Sequence, residues 1–251
     1  MEKNTSNYYN FLYDQMVSFG ELLSTKIVSA YLQKAGVENT WLDVRTIIKT
    51  DNNYRKAKVD WLVTQENSIQ KIDNQTLYIT QGFLGSDTTN TTTLGREGSD
   101  YTAGILAYCL NAESVTIWKD VDGVLNADPR VFDKTTLLHK VSYQEAIEMS
   151  FYGASVIHPK TLKPLENKRI PLFVRSFENL DNSGTTVSKG VDLEPITPCF
   201  IVKKNQILVS ISANDFSFMV EENISHLFNL FHKFKLKVNL IQNSAISFSV
   251  C

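Results

Sequence analysis

The first clear pattern along the chain is helical. Met16, Phe19, Leu23, Ile27 and Tyr31 recur at spacings of three and four, and Gly36 follows where a left-handed cap would end the run. An amphipathic helix is expected there. Leu77-Tyr78-Ile79-Thr80 and Ser114-Val115-Thr116-Ile117-Trp118 are short β-branched and aromatic runs that read as strands, and residues 100–110 between them have helical composition. Ser142-Tyr143-Gln144-Glu145 is a capping-box signature ahead of Ala146-Ile147-Glu148-Met149, and His158-Pro159 puts proline at the first position of a further helix. Pro171-Leu172-Phe173-Val174 then reads as another strand. Helices alternating with short apolar strands predict an α/β fold, a mainly parallel sheet sandwiched by helices, whose ligand site lies at the carboxyl ends of the strands.

Between residues 181 and 198 the periodicity is lost, with Asp181-Asn182-Ser183-Gly184 and two prolines in the stretch. It resumes as a strand over 206–211, a helical stripe of Ile224, Leu227, Phe228 and Phe231, and two strands over 237–241 and 245–250, a β-α-β-β order. The expected division is a domain over 1–186, a linker over 187–198 and a partial α+β unit over 199–251. The chain's 251 residues, 43% hydrophobic and 21% charged, suit packed domains and not a disordered segment. A net charge of -2 gives no field for nucleic acid or for an anionic membrane. No apolar run has the length of a membrane span, and the first residues lack a signal-peptide core, so a cytoplasmic protein is expected. Cys109, Cys199 and Cys251 are widely separated and lack the spacing of a metal or redox site, which fits reduced thiols and no bound structural metal.

The segment richest in chemistry is Thr91-Thr92-Thr93-Leu94-Gly95-Arg96-Glu97-Gly98-Ser99-Asp100-Tyr101-Thr102-Ala103, a glycine-containing polar loop that runs into a helix. Glycines allow close backbone approach, amides at a helix start favour an anion, and Arg96 offers a fork of donors to a carboxylate or phosphate. On spacing alone the string fits a capped loop with a surface arginine equally well. It is neither a Walker A loop nor a dinucleotide fingerprint. Asp120-Val121-Asp122-Gly123 begins like a calcium loop but lacks the later acidic ligands.

Taken together, Gln81-Gly82-Phe83-Leu84-Gly85, Thr92-Thr93-Leu94-Gly95-Arg96 and Gly98-Ser99-Asp100-Tyr101-Thr102-Ala103 resemble the signature of the aspartate kinases, members of the amino-acid kinase superfamily. Ser18-Phe19-Gly20-Glu21, Asp120-Val121-Asp122-Gly123-Val124, Asp128-Pro129-Arg130, Gly153-Ala154 and His158-Pro159 follow the same family's order. The resemblance implies the amino-acid kinase fold and phosphorylation of the L-aspartate side-chain carboxylate by ATP with Mg2+, the first step of lysine, threonine and methionine biosynthesis. It assigns Arg96 to the substrate α-carboxylate and Glu21 to its ammonium. Phe83, Thr93 and Ser99 would line the same pocket, and Asp100 would organise the reacting groups beside Arg96. ATP would lie against Lys119, Asp120, Leu125, Arg130, Ser155 and Val156. Without the resemblance, Glu21 is equally a solvated helix carboxylate, and Ser99 and Asp100 are simple helix caps.

The sequence also departs from that family. No Lys-Phe-Gly-Gly-Thr-Ser phosphate loop precedes Ser18, Glu97 stands where glycine is usual, and Ser155 stands where lysine is common. The resemblance therefore implies a chain truncated at both ends, with the fold's first strand missing. Residues 199–251 resemble the opening of an ACT-type regulatory domain, which implies feedback by lysine or threonine, and their exposed sheet edge suggests a homodimer. Two other readings stay open: a non-catalytic amino-acid or nucleotide-binding relative, and an acyl-phosphate kinase acting on glutamate or an N-acetylated analogue.

Overall fold

The computed structural model describes residues 2–154, 157–214 and 217–251, the side chains of 2–7 excepted. The chain forms two compact units, one ending at Phe200 and the other spanning Ile201–Cys251. In chain order the first unit has α1 (Glu2–Lys34), β1 (Thr40–Leu42), a 3-10 turn (Val44–Thr46), α2 (Trp61–Lys71), β2 (Tyr78–Thr80), β3 (Leu84–Ser86), β4 (Thr91–Thr93), α3 (Gly98–Leu110), β5 (Val115–Lys119), β6 (Lys140–Ser142), α4 (Tyr143–Tyr152), α5 (Pro159–Lys168), β7 (Leu172–Ser176) and β8 (Thr185–Ser188). The second has β9 (Val209–Ser212), α6 (Glu221–Lys233), β10 (Ile241–Asn243) and β11 (Ser247–Val250).

The long helix α1 ends where expected, with Gly36 left-handed at φ 85°. Its apolar stripe, however, is the outward face. Met16, Phe19, Leu23, Ile27 and Tyr31 are between 59% (Ile27) and 71% (Met16) exposed, whereas Asp14, Ser18 and Ser29 are buried. The reason is what α1 packs on. It lies against loops and strand ends whose backbone groups need polar partners: Gln15 bonds the carbonyl of Thr91 at 2.8 Å, and the Thr25 hydroxyl accepts from Trp41 and from Gln81. Among the described residues of this helix only Leu22 joins the adjacent core of Val44, Ile47, Ile48, Leu84, Leu94 and Ile105.

α4 carries both halves of its capping box, and α5 starts at Pro159 with the His158 Nδ1 accepting from the Lys160 N–H at 3.1 Å. The strands make a mixed set. β1 pairs with β2 in parallel, β3 with β4 antiparallel, and a four-stranded sheet runs β5-β7-β8-β6. In that sheet β5 and β7 are parallel, with Val115 opposite Leu172 and Ile117 opposite Val174, all buried. β8 returns antiparallel to β7 because the segment between them is too short for the helical crossover a parallel pair needs. β3 and β4 reverse for the same reason, across a turn in which Asp87 accepts from the N–H groups of Thr89 and Asn90. In the second unit the sheet order is β10-β11-β9, all antiparallel, and Phe248 of β11 is buried beneath Phe228 of α6.

Thr185, at the start of β8, ties two loops of the first unit together. Fully buried, it donates to the Leu138 carbonyl at 2.6 Å and accepts from the Val124 N–H at 2.8 Å. Thr185→Val preserves shape but orphans both groups, so it should cost about 2 kcal/mol in urea denaturation; an unchanged midpoint would show that these bonds contribute nothing.

Candidate active site

A cavity of about 850 Å3 opens in the first unit, between α1, the loop 53–56 and the start of α3. All five residues expected to contact substrate, Glu21, Phe83, Thr93, Arg96 and Ser99, line it. The contact that assembles them runs through two glycines, Gly82 against Ser99 and Gly98 against Phe83. A Cβ on Gly82 would stand 2.6 Å from the Cβ of Ser99, and one on Gly98 would stand 3.0 Å from the Cα of Phe83. Only bare backbone lets the 82–83 turn and the first residues of α3 come this close. The Phe83 N–H donates to the Thr102 hydroxyl at 3.0 Å, which fixes the two segments further.

The remaining wall was not legible in the sequence. Asn10, Tyr13, Asn53, Tyr54, Arg55 and Lys56 also line the cavity. Their placement depends on Asp14, which is fully buried on α1. Its carboxylate accepts from the Thr93 N–H at 2.9 Å, from the Thr93 hydroxyl at 2.8 Å and from the Arg55 N–H at 3.0 and 3.2 Å. One side chain therefore joins α1, β4 and the 53–56 loop. The threonine run of β4, featureless as sequence, is fully used: Thr91 accepts from Arg45, Thr92 shares a hydrogen bond with Thr50, and Thr93 donates to Asp14. Asp14→Asn leaves one of these donors facing an NH2 group. It should lower unfolding free energy by about 2 kcal/mol in urea titration, with no comparable loss for Asp51→Asn on the exposed loop nearby.

The cavity wall also carries strained backbone. Among the described residues seven besides glycine have positive φ, and three of them, Arg55 at 67°, Phe83 at 69° and Glu97 at 53°, line its wall. Left-handed backbone is costly for such residues and concentrates at functional sites.

The chain has relatives among known proteins. Residues 2–176 match the model of the amino acid kinase family. The chain belongs to that family. It is 36% identical over 242 residues to lysine-sensitive aspartokinase 3 of Escherichia coli, covering 94% of this chain and 53% of that protein. The bifunctional aspartokinase/homoserine dehydrogenase 2 of Zea mays is 33% identical over 247 residues, 95% of this chain and 27% of that protein. The chain thus spans about half or less of the length of these relatives. Its structure resembles E. coli aspartokinase III solved with aspartate and ADP, with a TM-score of 0.81 and 35% identity over 96% of this chain and 55% of that one. The aspartate kinase of Clostridium acetobutylicum, at 24% identity and a TM-score of 0.75, shares the fold.

Within this amino acid kinase fold the residues expected at the nucleotide lie elsewhere than the cavity wall. Lys119 ends β5 and pairs with Asp100, in the first turn of α3, at 2.9 Å, both side chains mostly buried. Asp100 is therefore neither a cavity residue nor a helix cap. Asp120 is exposed, Leu125 is half-buried in a bridge to Leu137, and Arg130 is exposed and forked onto Asp128. Ser155 and Val156 lie outside the described residues. Ser99 does not cap α3 either, because the residue before the helix is Glu97 and its side chain makes no capping bond.

Glu97 occupies a backbone conformation that glycine adopts at lower cost. The position is left-handed, and one carboxylate oxygen, Oε2, is buried with no hydrogen-bond partner. His158 lies in the field of this carboxylate, but burial outweighs it and holds the imidazole below its ordinary 6.5. A neutral His158 is what its capping role needs, since Nδ1 must accept. Glu97→Gly should raise stability by about 1 kcal/mol, read as a higher melting temperature; a lower one would mean that the carboxylate has a partner of its own.

Proposed function

We propose that this chain carries the catalytic part of an aspartate kinase, transferring the γ-phosphoryl group of ATP to the side-chain carboxylate of L-aspartate to give 4-phospho-L-aspartate. The observation that carries this reading is that Glu21, Phe83, Thr93, Arg96 and Ser99 line one cavity, in a chain 35% identical to a relative solved with aspartate and ADP. The charges of the wall support it. Arg55, Lys56 and Arg96 line one space together with Glu21 and Glu97, and aspartate brings the opposite balance, two carboxylates and one ammonium. Arg96 makes no ion pair among the described residues, so its fork is open to an α-carboxylate, and Glu21 suits the ammonium.

The attacking group is already an anion, so no general base is required. A carboxylate oxygen forms the new bond to phosphorus, the bond from phosphorus to the β,γ-bridging oxygen breaks, and ADP leaves with the electron pair. Catalysis rests on in-line positioning and on cations that reduce repulsion between the anions. The Asp100–Lys119 pair links the start of α3, beside Ser99, to the carboxyl edge of β5, where ATP would meet Lys119, Asp120, Leu125 and Arg130. Mg2+ would arrive with the nucleotide and offset its phosphate charge, and the exposed carboxylate of Asp120, just beyond β5, could help to hold it. In the whole protein residues 1–186 would be catalytic, 187–198 a linker and 199–251 ACT-like, with lysine or threonine as feedback ligand, a homodimeric assembly and a place in amino-acid biosynthesis in the cytoplasm. No helix among the described residues is long and apolar enough to cross a membrane.

The test is a coupled ADP-release assay with ATP, Mg2+ and L-aspartate beside calorimetric titration of each ligand. Aspartate-dependent ADP release supports catalysis, and aspartate binding without release supports a binding protein instead. Arg96→Ala should weaken aspartate binding by roughly 100-fold and leave ATP affinity nearly unchanged; equal loss of both would show that Arg96 has been given the wrong ligand.

A further inference from the structure

A dicarboxylic amino acid presents two anionic groups, and Arg96 accounts for one. The cavity has two other cations, and the structure separates them. Arg55 is committed to the wall: its guanidinium lies over the Tyr13 ring at 4.6 Å and its Nη1 reaches Asn10 at 3.4 Å. Lys56 has neither an ion pair nor a hydrogen bond from its ammonium among the described residues, yet it lines the same cavity.

Its backbone is fixed on both sides. The Lys56 N–H donates to the Asn53 carbonyl at 3.1 Å, the Ala57 N–H donates to the Thr93 carbonyl at 3.0 Å, and Arg55 is held by Asp14. The loop also abuts the residue before Arg96. A Cβ on Gly95 would stand 3.0 Å from the Arg55 carbonyl oxygen and 3.9 Å from the Lys56 Cγ. The Lys56 stem therefore starts beside the Arg96 loop, with a free ammonium at its end and ordered backbone beneath it.

We infer that Lys56 is the second cation of the substrate pocket and that it reads the side-chain carboxylate, the group to be phosphorylated, so that preference for the acid over its amide depends on it. This rests on the aspartate kinase reading above. Lysine suits the role: a compact charge on a flexible stem can follow an oxygen as it bonds to phosphorus, while Arg96 holds the α-carboxylate in a fixed fork.

The experiment is calorimetric titration of the whole chain with L-aspartate and with L-asparagine, its amide of nearly equal size, for the unaltered protein, Lys56→Met and Lys56→Arg. Lys56→Met should weaken aspartate binding by roughly tenfold or more and change asparagine affinity by less than about twofold, and Lys56→Arg should retain most of the preference for the acid. Lys56 is exposed, so melting temperatures should agree across the three proteins and separate a charge effect from misfolding. Equal weakening of both ligands, or no weakening of aspartate, overturns the role of Lys56 alone. If the unaltered chain binds no aspartate, the aspartate kinase reading falls, and this inference with it.

Discussion

The buried carboxylate of Asp14 is the interaction on which the rest of the site depends. A carboxylate fully removed from water must be matched by donors, and among the described residues this one is matched without an ion pair, by the Arg55 and Thr93 backbone N–H groups and the Thr93 hydroxyl. Those donors belong to a loop and a strand that share no sequence neighbourhood with α1 or with each other. Satisfying Asp14 therefore determines where Thr93 ends β4, where the 53–56 loop lies and which side of α1 faces inward. The inverted helix, polar inside and apolar outside, follows from the same demand.

Around this anchor the cavity is built from backbone that approaches unusually closely and turns unusually sharply. Gly82 and Gly98 let two segments touch, and Arg55, Phe83 and Glu97 take left-handed conformations. Such strain persists only where packing over-determines it. Here it turns three separate wall segments so that Arg55, Phe83 and Glu97 reach one space. The Asp100–Lys119 pair extends the same logic, joining the helix start at the cavity to the strand edge beyond it.

What could be read from the chain alone was whatever has a local cause. The capping box at Ser142, proline at the start of α5, the left-handed Gly36 and the strands at 78–80 and 115–119 all stand as the pattern implies. The five substrate-side residues were legible because their string resembles a family signature, and they share one cavity. The antiparallel returns of β4 and β8 were missed, since alternation of helices and strands does not reveal strand direction; the shortness of the connections does.

The sequence by itself determined the family, the helix boundaries set by caps and the residue types that could meet a charged amino acid, because each of these is written in neighbours only a few positions apart. Only the tertiary structure decided the face of α1, the partnering of Asp14 and the presence of Arg55 and Lys56 in the cavity. Those depend on contacts between segments about 40 and 80 residues apart, and nothing in the spacing of an aspartate, an arginine or a lysine announces which distant backbone will need its charge.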